Sequence, residues 1–135
     1  MKALIAIALP ILIAASAAAA HSGSYTGNWP VTVKLPPQFG NTACLTLTDN
    51  GQAGSRHSGP VTSFGDLTGN LSGTFQVVRD LLVVNLQSGS STGEVVWVSF
   101  IAPALNGQIG NGFFNDPGFS PAAAAPLTFG VKGGC

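Results

Sequence analysis

The feature that most constrains this chain is a two-residue hydrophobic period that keeps returning. Tyr25, Gly27, Trp29, Val31, Val33 and Leu35 share one parity, and Thr26, Asn28, Pro30, Thr32 and Lys34 share the other. Side chains of an extended strand point alternately to opposite faces, so this pattern predicts a strand with one buried face. Pro30 cannot donate to a ladder, which suggests an edge position or a bulge. Alternation returns at 42–49, where Ala43, Leu45 and Leu47 would face in while Cys44, Thr46 and Thr48 face out. It returns again at 67–78, with Leu67, Gly69, Leu71, Gly73, Phe75 and Val77 on one side. Residues 81–87 and 94–102 are near-continuous apolar runs, and Leu127, Phe129 and Val131 form the inner parity of a last strand.

Between these runs lie turn signals: Asp49-Asn50-Gly51, Arg79-Asp80 and Asn115-Asp116-Pro117-Gly118. The polar stretch 52–59 reads as a loop leading to a short strand near 61–64. Residues 119–126, with four alanines between Pro121 and Pro126, read as an irregular loop. Leu67-Thr68-Gly69-Asn70-Leu71 resembles Leu105-Asn106-Gly107-Gln108-Ile109, a short internal repeat that two glycine-bearing strands would explain. All 18 glycines follow residue 20. Each would cost a helix about 1 kcal/mol relative to alanine, which disfavours helices throughout. The sum is an all-β domain of about eight strands, either a small antiparallel barrel or a two-sheet sandwich. Short successive hairpins favour the barrel, in up-and-down order. Eight strands leave an interior just wide enough to be filled by side chains or to hold one small ligand.

The first 20 residues read differently. Lys2 precedes the apolar run 3–15, and Ala18-Ala19-Ala20 offers a small-x-small cleavage site. We read 1–20 as a signal peptide and 21–135 as a single β-barrel domain, secreted or periplasmic, with no membrane span once the leader is removed. In an oxidising compartment Cys44 and Cys135, the only cysteines, form one disulfide. Beyond the leader stand four basic residues, Lys34, Arg56, Arg79 and Lys132, and five acidic ones, Asp49, Asp66, Asp80, Glu94 and Asp116. They are scattered and nearly balanced. Nucleic acid requires clustered cations to replace counterions, so it is not an expected partner.

Gly27-Asn28-Trp29 opening a meander of eight strands resembles the calycin barrels, which include lipocalins and avidins. That resemblance implies a small apolar ligand inside the barrel. It also implies that Trp29 closes one end beneath a basic residue from the last strand, for which only Lys132 is available. A second resemblance is to small periplasmic inhibitors of bacterial metalloproteases, carried by Gly27-Asn28-Trp29 and Cys44-Leu45-Thr46-Leu47. Their disulfide closes a much shorter loop than one reaching Cys135.

Candidate chemistry is sparse. His57 would be the base of a Ser-His-Asp mechanism, but no Gly-x-Ser-x-Gly elbow surrounds a serine, and a solvated loop histidine is the simpler reading. Cleavage before His21 would leave an amino-terminal histidine able, with His57, to bind copper; an incidental histidine beside a cleavage site is simpler. Asp49, Asp80 and Asp116 lie at turn signals, where solvated carboxylates are expected. Asn70-Leu71-Ser72 fits a glycosylation sequon. No catalytic residue, metal or cofactor is expected. Trp29, Phe75, Trp97, Phe113 and Phe129 either line a ligand cavity or fill the core. The expected function is therefore that of an exported non-enzymatic barrel binding a small apolar ligand. The alternative is a protein-binding module, either a periplasmic protease inhibitor or a surface-associated structural protein.

Overall fold

The computed structural model describes residues 23–34, 41–53, 56–89, 95–116 and 123–135. Ten strands follow in order: β1 (Gly27–Val33), β2 (Thr42–Leu47), β3 (Gln52–Ala53), β4 (Arg56–Phe64), β5 (Leu71–Val78), β6 (Leu81–Gly89), β7 (Val95–Leu105), β8 (Gln108–Ile109), β9 (Gly112–Asp116) and β10 (Ala123–Phe129). No helix occurs among the described residues. The signal-peptide reading of 1–20 and its cleavage site before His21 lie outside them.

Eight of these strands form a closed ring. β1 pairs β2, β2 pairs β4, and the chain continues β4–β5–β6–β7–β9–β10, whereupon β10 pairs β1. Every pairing is antiparallel, so the barrel is up-and-down. β3 and β8 are two-residue appendages to β4 and β7. Closure removes the open edges that a sandwich would keep.

The inner parity of each strand supplies the core. Trp29, Val31 and Val33 from β1 meet Leu45 and Leu47 from β2, Phe75 and Val77 from β5, Leu82, Val84 and Leu86 from β6, and Phe100 from β7. Phe114 and Leu127 complete the ring from β9 and β10. The Trp29 and Phe129 rings pack edge to face at 6.4 Å, and Phe100 meets Phe114 at 5.5 Å. Such pairs exceed their simple burial by about 1 kcal/mol.

Several sequence expectations require correction. The stretch 52–59 is largely strand: β4 begins at Arg56 and pairs with β5 from Arg56↔Val78 to Ser63↔Leu71. The strand expected from 67 starts only at Leu71, because Leu67 lies in a turn tightened by Gly69 N donating to Gly65 O at 2.7 Å. The internal repeat is thus a pair of turns. Its second copy is the Asn106-Gly107 hairpin, whose φ angles of 54° and 77° suit these residue types. Finally, β10 begins within the alanine run and includes Pro126, opposite Phe113.

Pro30 stands where the ladder allows it. The β1–β10 pairs run only from Val31↔Phe129 to Val33↔Leu127. Below them the tail takes over, with Gly130 N donating to Pro30 O and Gly133 N to Asn28 O, each at 2.7 Å. Within a closed barrel, the side of β1 facing β10 is therefore locally an edge, where a missing N–H costs no ladder bond.

Candidate functional site

One end of the barrel is closed by a polar cluster built from distant segments. Asp49, after β2, accepts hydrogen bonds from Tyr25 N at 3.1 Å, Gly51 N at 3.0 Å and His57 Nδ1 at 2.7 Å. Its own N–H donates to Thr26 Oγ1 at 2.9 Å. The His57 and Asp49 side chains are 6% and 3% exposed. This corrects the expectation of a solvated loop histidine and a solvated turn carboxylate. Asp49 does sit in its turn, but its second oxygen is drawn inward. The Tyr25 ring meets His57 edge-on at 5.0 Å. Burial raises the Tyr25 phenol above its ordinary value; a backbone hydrogen bond from Gly107 opposes this, and Asp49 and Asp80 add to it.

Above this cluster lies Trp29. Its indole N–H donates to Tyr25 O at 3.0 Å. Lys132 Nζ sits 5.6 Å from the indole centroid and donates to Ser24 O at 2.8 Å. This is the stacking implied by the calycin resemblance, with Lys132 in the tail past β10 rather than on the last strand. Gly27 has a reason here: its φ is +150°, and a Cβ would lie 2.8 Å from Lys132 Cγ. The glycine of Gly-x-Trp thus admits the lysine stem. Chemically the cluster is a clasp. Its histidine is buried and committed to Asp49, and no group of three His, Cys, Asp or Glu able to hold a metal occurs among the described residues. The copper reading cannot be assembled from them, since His21 lies outside.

Cys44 and Cys135 form the expected disulfide, with Cα atoms 5.9 Å apart. Cys44 has the outward parity read from the sequence, so the bond pins the tail to the outer wall. Asn28 Nδ2 donates to Cys135 O at 3.3 Å. A groove of about 670 Å³ runs beside the disulfide, with Phe64, 71% exposed, on its rim.

Of the five aromatic candidates, Trp29, Phe75 and Phe129 are buried, whereas Trp97 and Phe113 are 50% and 64% exposed. The correction follows from parity. On β7 the inner positions are Val98, Phe100, Ala102 and Ala104, which leaves Trp97 outside. Phe113 and Phe114 are adjacent, so only one can enter, and the Phe100↔Phe114 pairing chooses Phe114. Adjacent aromatics in the sequence carried that signal, but not which one enters. Among the carboxylates, Asp116 is buried at the end of β9, Asp66 and Asp80 are exposed in turns, and Glu94 lies outside the described residues. Asn70 is exposed just before β5 rather than within a strand.

The registers divide the outer wall into two fields. Val83, Ile101, Phe113 and Pro126 stand side by side across β6, β7, β9 and β10. Val78, Leu81 and Pro103 form the next row. Val78, Leu81 and Ile101 are 39%, 47% and 43% exposed. Strands spaced about 4.8 Å apart, with outward positions about 6.7 Å apart, give an apolar field on the order of 300 Å². The second field is polar and uncharged. One row runs Asn28, Thr46, Thr62, Ser72, Gln87 and Trp97 across six strands. Its neighbour runs Pro60, Thr74, Asn85, Ser99 and Asn115.

No protein-family model, curated protein or solved structure gives a significant match to this chain. Among the described residues no helix is long and apolar enough to cross a membrane.

Proposed function

We propose that this chain is an exported, non-enzymatic barrel that acts as a protein-binding module through its outer wall. The observation that carries the reading is the division of large apolar side chains. Trp29, Phe75, Phe100 and Phe114 occupy the interior where a small apolar ligand would sit, while Ile101 and Phe113 face solvent beside Val83 and Pro126. A field of this kind, with Arg56, Arg79 and Asp80 at its margin, has the apolar centre and polar rim of an interface. Its partner is a protein presenting a similarly uncharged apolar surface, and the modest size suits a transient contact. Export is supported by the disulfide and by the leader-like sequence of 1–20. Surface association, rather than protease inhibition, suits a contact made by a sheet face.

Photo-crosslinking tests this. A photoreactive residue at position 113 is expected to give a discrete protein adduct in the native compartment, and one at Thr32 is not. Ile101→Asp is expected to abolish the adduct. Equal yields from both positions would overturn the reading.

A further inference from the structure

We infer that the polar field around Trp97 is a binding site for a neutral glycan. The site is separate from the apolar field, and the inference does not rest on the protein-binding reading. Trp97 is half exposed on β7, with Gln87 directly opposite on β6 and Ser72 beyond it on β5. Asn85 and Thr74 stand in the adjacent row. Trp97, Gln87, Asn85 and Thr74, with Gly73 and Leu86, line an open groove of about 190 Å³.

The chemistry selects the ligand class. An indole face offers a flat apolar surface to the axial C–H bonds of a pyranose ring, while its polar edge tolerates water. Asn and Gln amides each present a donor pair and an acceptor, and hydroxyls present both, which matches the vicinal hydroxyls of a sugar. Ser99 Oγ donates to Asn85 Oδ1 at 3.0 Å, fixing that amide and leaving its N–H₂ group to serve a ligand. No charged residue lies in either row, so the field has no means of favouring an anion or a cation. A purely apolar ligand would leave the amides unpaired, which costs about 1–3 kcal/mol for each buried group.

The floor is tightly packed: Gly73 lies directly on the Asn85 carbonyl, and a Cβ there would collide with it. Ser72, Gln87 and Trp97 span three strands, on the order of 10 Å, which accommodates two or three sugar units.

The chain's two tryptophans make the test direct, because Trp29 is 1% exposed and only Trp97 can meet a ligand. Oxidised protein is titrated with chitotetraose, cellotetraose, maltotetraose and xylotetraose while tryptophan emission is followed. A galacturonic acid tetramer serves as the charged control. At least one neutral tetramer is expected to give a saturable blue shift, unchanged between about 0.05 and 0.5 M salt. Trp97→Ala, followed by isothermal titration calorimetry because it lacks the exposed indole, and Gln87→Ala are each expected to weaken binding by about tenfold or more, and Phe113→Ser to leave it intact. Both substitutions lie on the outer wall, and near-UV circular dichroism confirms that the barrel persists. The inference is overturned if no neutral tetramer shifts the emission, if binding survives in Trp97→Ala, or if only the acidic tetramer binds. A protein crosslinked through position 97 in place of sugar binding would also overturn it.

Discussion

Asp49 concentrates more structural consequence than any other single side chain described. It joins the segment before β1, its own turn and β4 through three accepted hydrogen bonds. Removing the carboxylate leaves the buried His57 Nδ1 and the part-buried Tyr25 N without their partner, while the exposed Gly51 N turns to water. Asp49→Ala is therefore expected to lower unfolding free energy by about 3 kcal/mol, read as a shift in urea midpoint. Tyr25 gives a second expectation. Its phenol is raised by burial, so the folded state holds that proton more tightly than the unfolded state. The associated stability is complete below the unfolded value near 10 and is lost as pH rises through the folded value. The chain has one tyrosine, so phenolate absorbance should report a single transition displaced upward, returning to the ordinary value in denaturant. The sequence showed Asp49 as a turn residue, which it is. Its second role was hidden because His57 and Tyr25 reach it only after β4 and β1 are placed.

At the scale of elements, local alternation revealed β1 and β2 well, and a near-continuous apolar run revealed β6. Alternation failed at β4, whose Gly- and Ser-rich first half is a strand only because β5 pairs with it along eight positions. It failed at β10 for a similar reason. Pro126 and the alanines carry no strand signal, yet Pro126 O accepts Lys34 N at 3.0 Å and the barrel closes there. The end clasp makes an elemental prediction. Lys132 ties the tail to β1 through Trp29 and to the preceding segment through Ser24. Lys132→Ala should cost about 1–2 kcal/mol, with loss of near-UV dichroism from Trp29. Gly27→Ala meets both the positive φ and the lysine stem, and should cost about 1–3 kcal/mol.

For the whole molecule, hairpin order and the even cysteine pair were enough to anticipate an up-and-down barrel with a long-range disulfide. The outward placement of Trp97 and Phe113 was not legible. Trp97 lies in an apolar run and Phe113 beside Phe114, and neither shows its parity until Phe100 is paired with Phe114. The disulfide spans 91 residues, so by loop entropy its reduction should cost about 4 kcal/mol in unfolding experiments, while the hydrogen-bonded ring remains the folded state. With the interior filled by the protein's own side chains, binding falls to the outer wall. Native mass spectrometry of the disulfide-bonded protein carrying Trp97→Ala and Phe113→Ser decides this. The bare mass of the polypeptide with its disulfide intact is expected. A small apolar molecule retained non-covalently by that variant would place the binding site inside the barrel and contradict it.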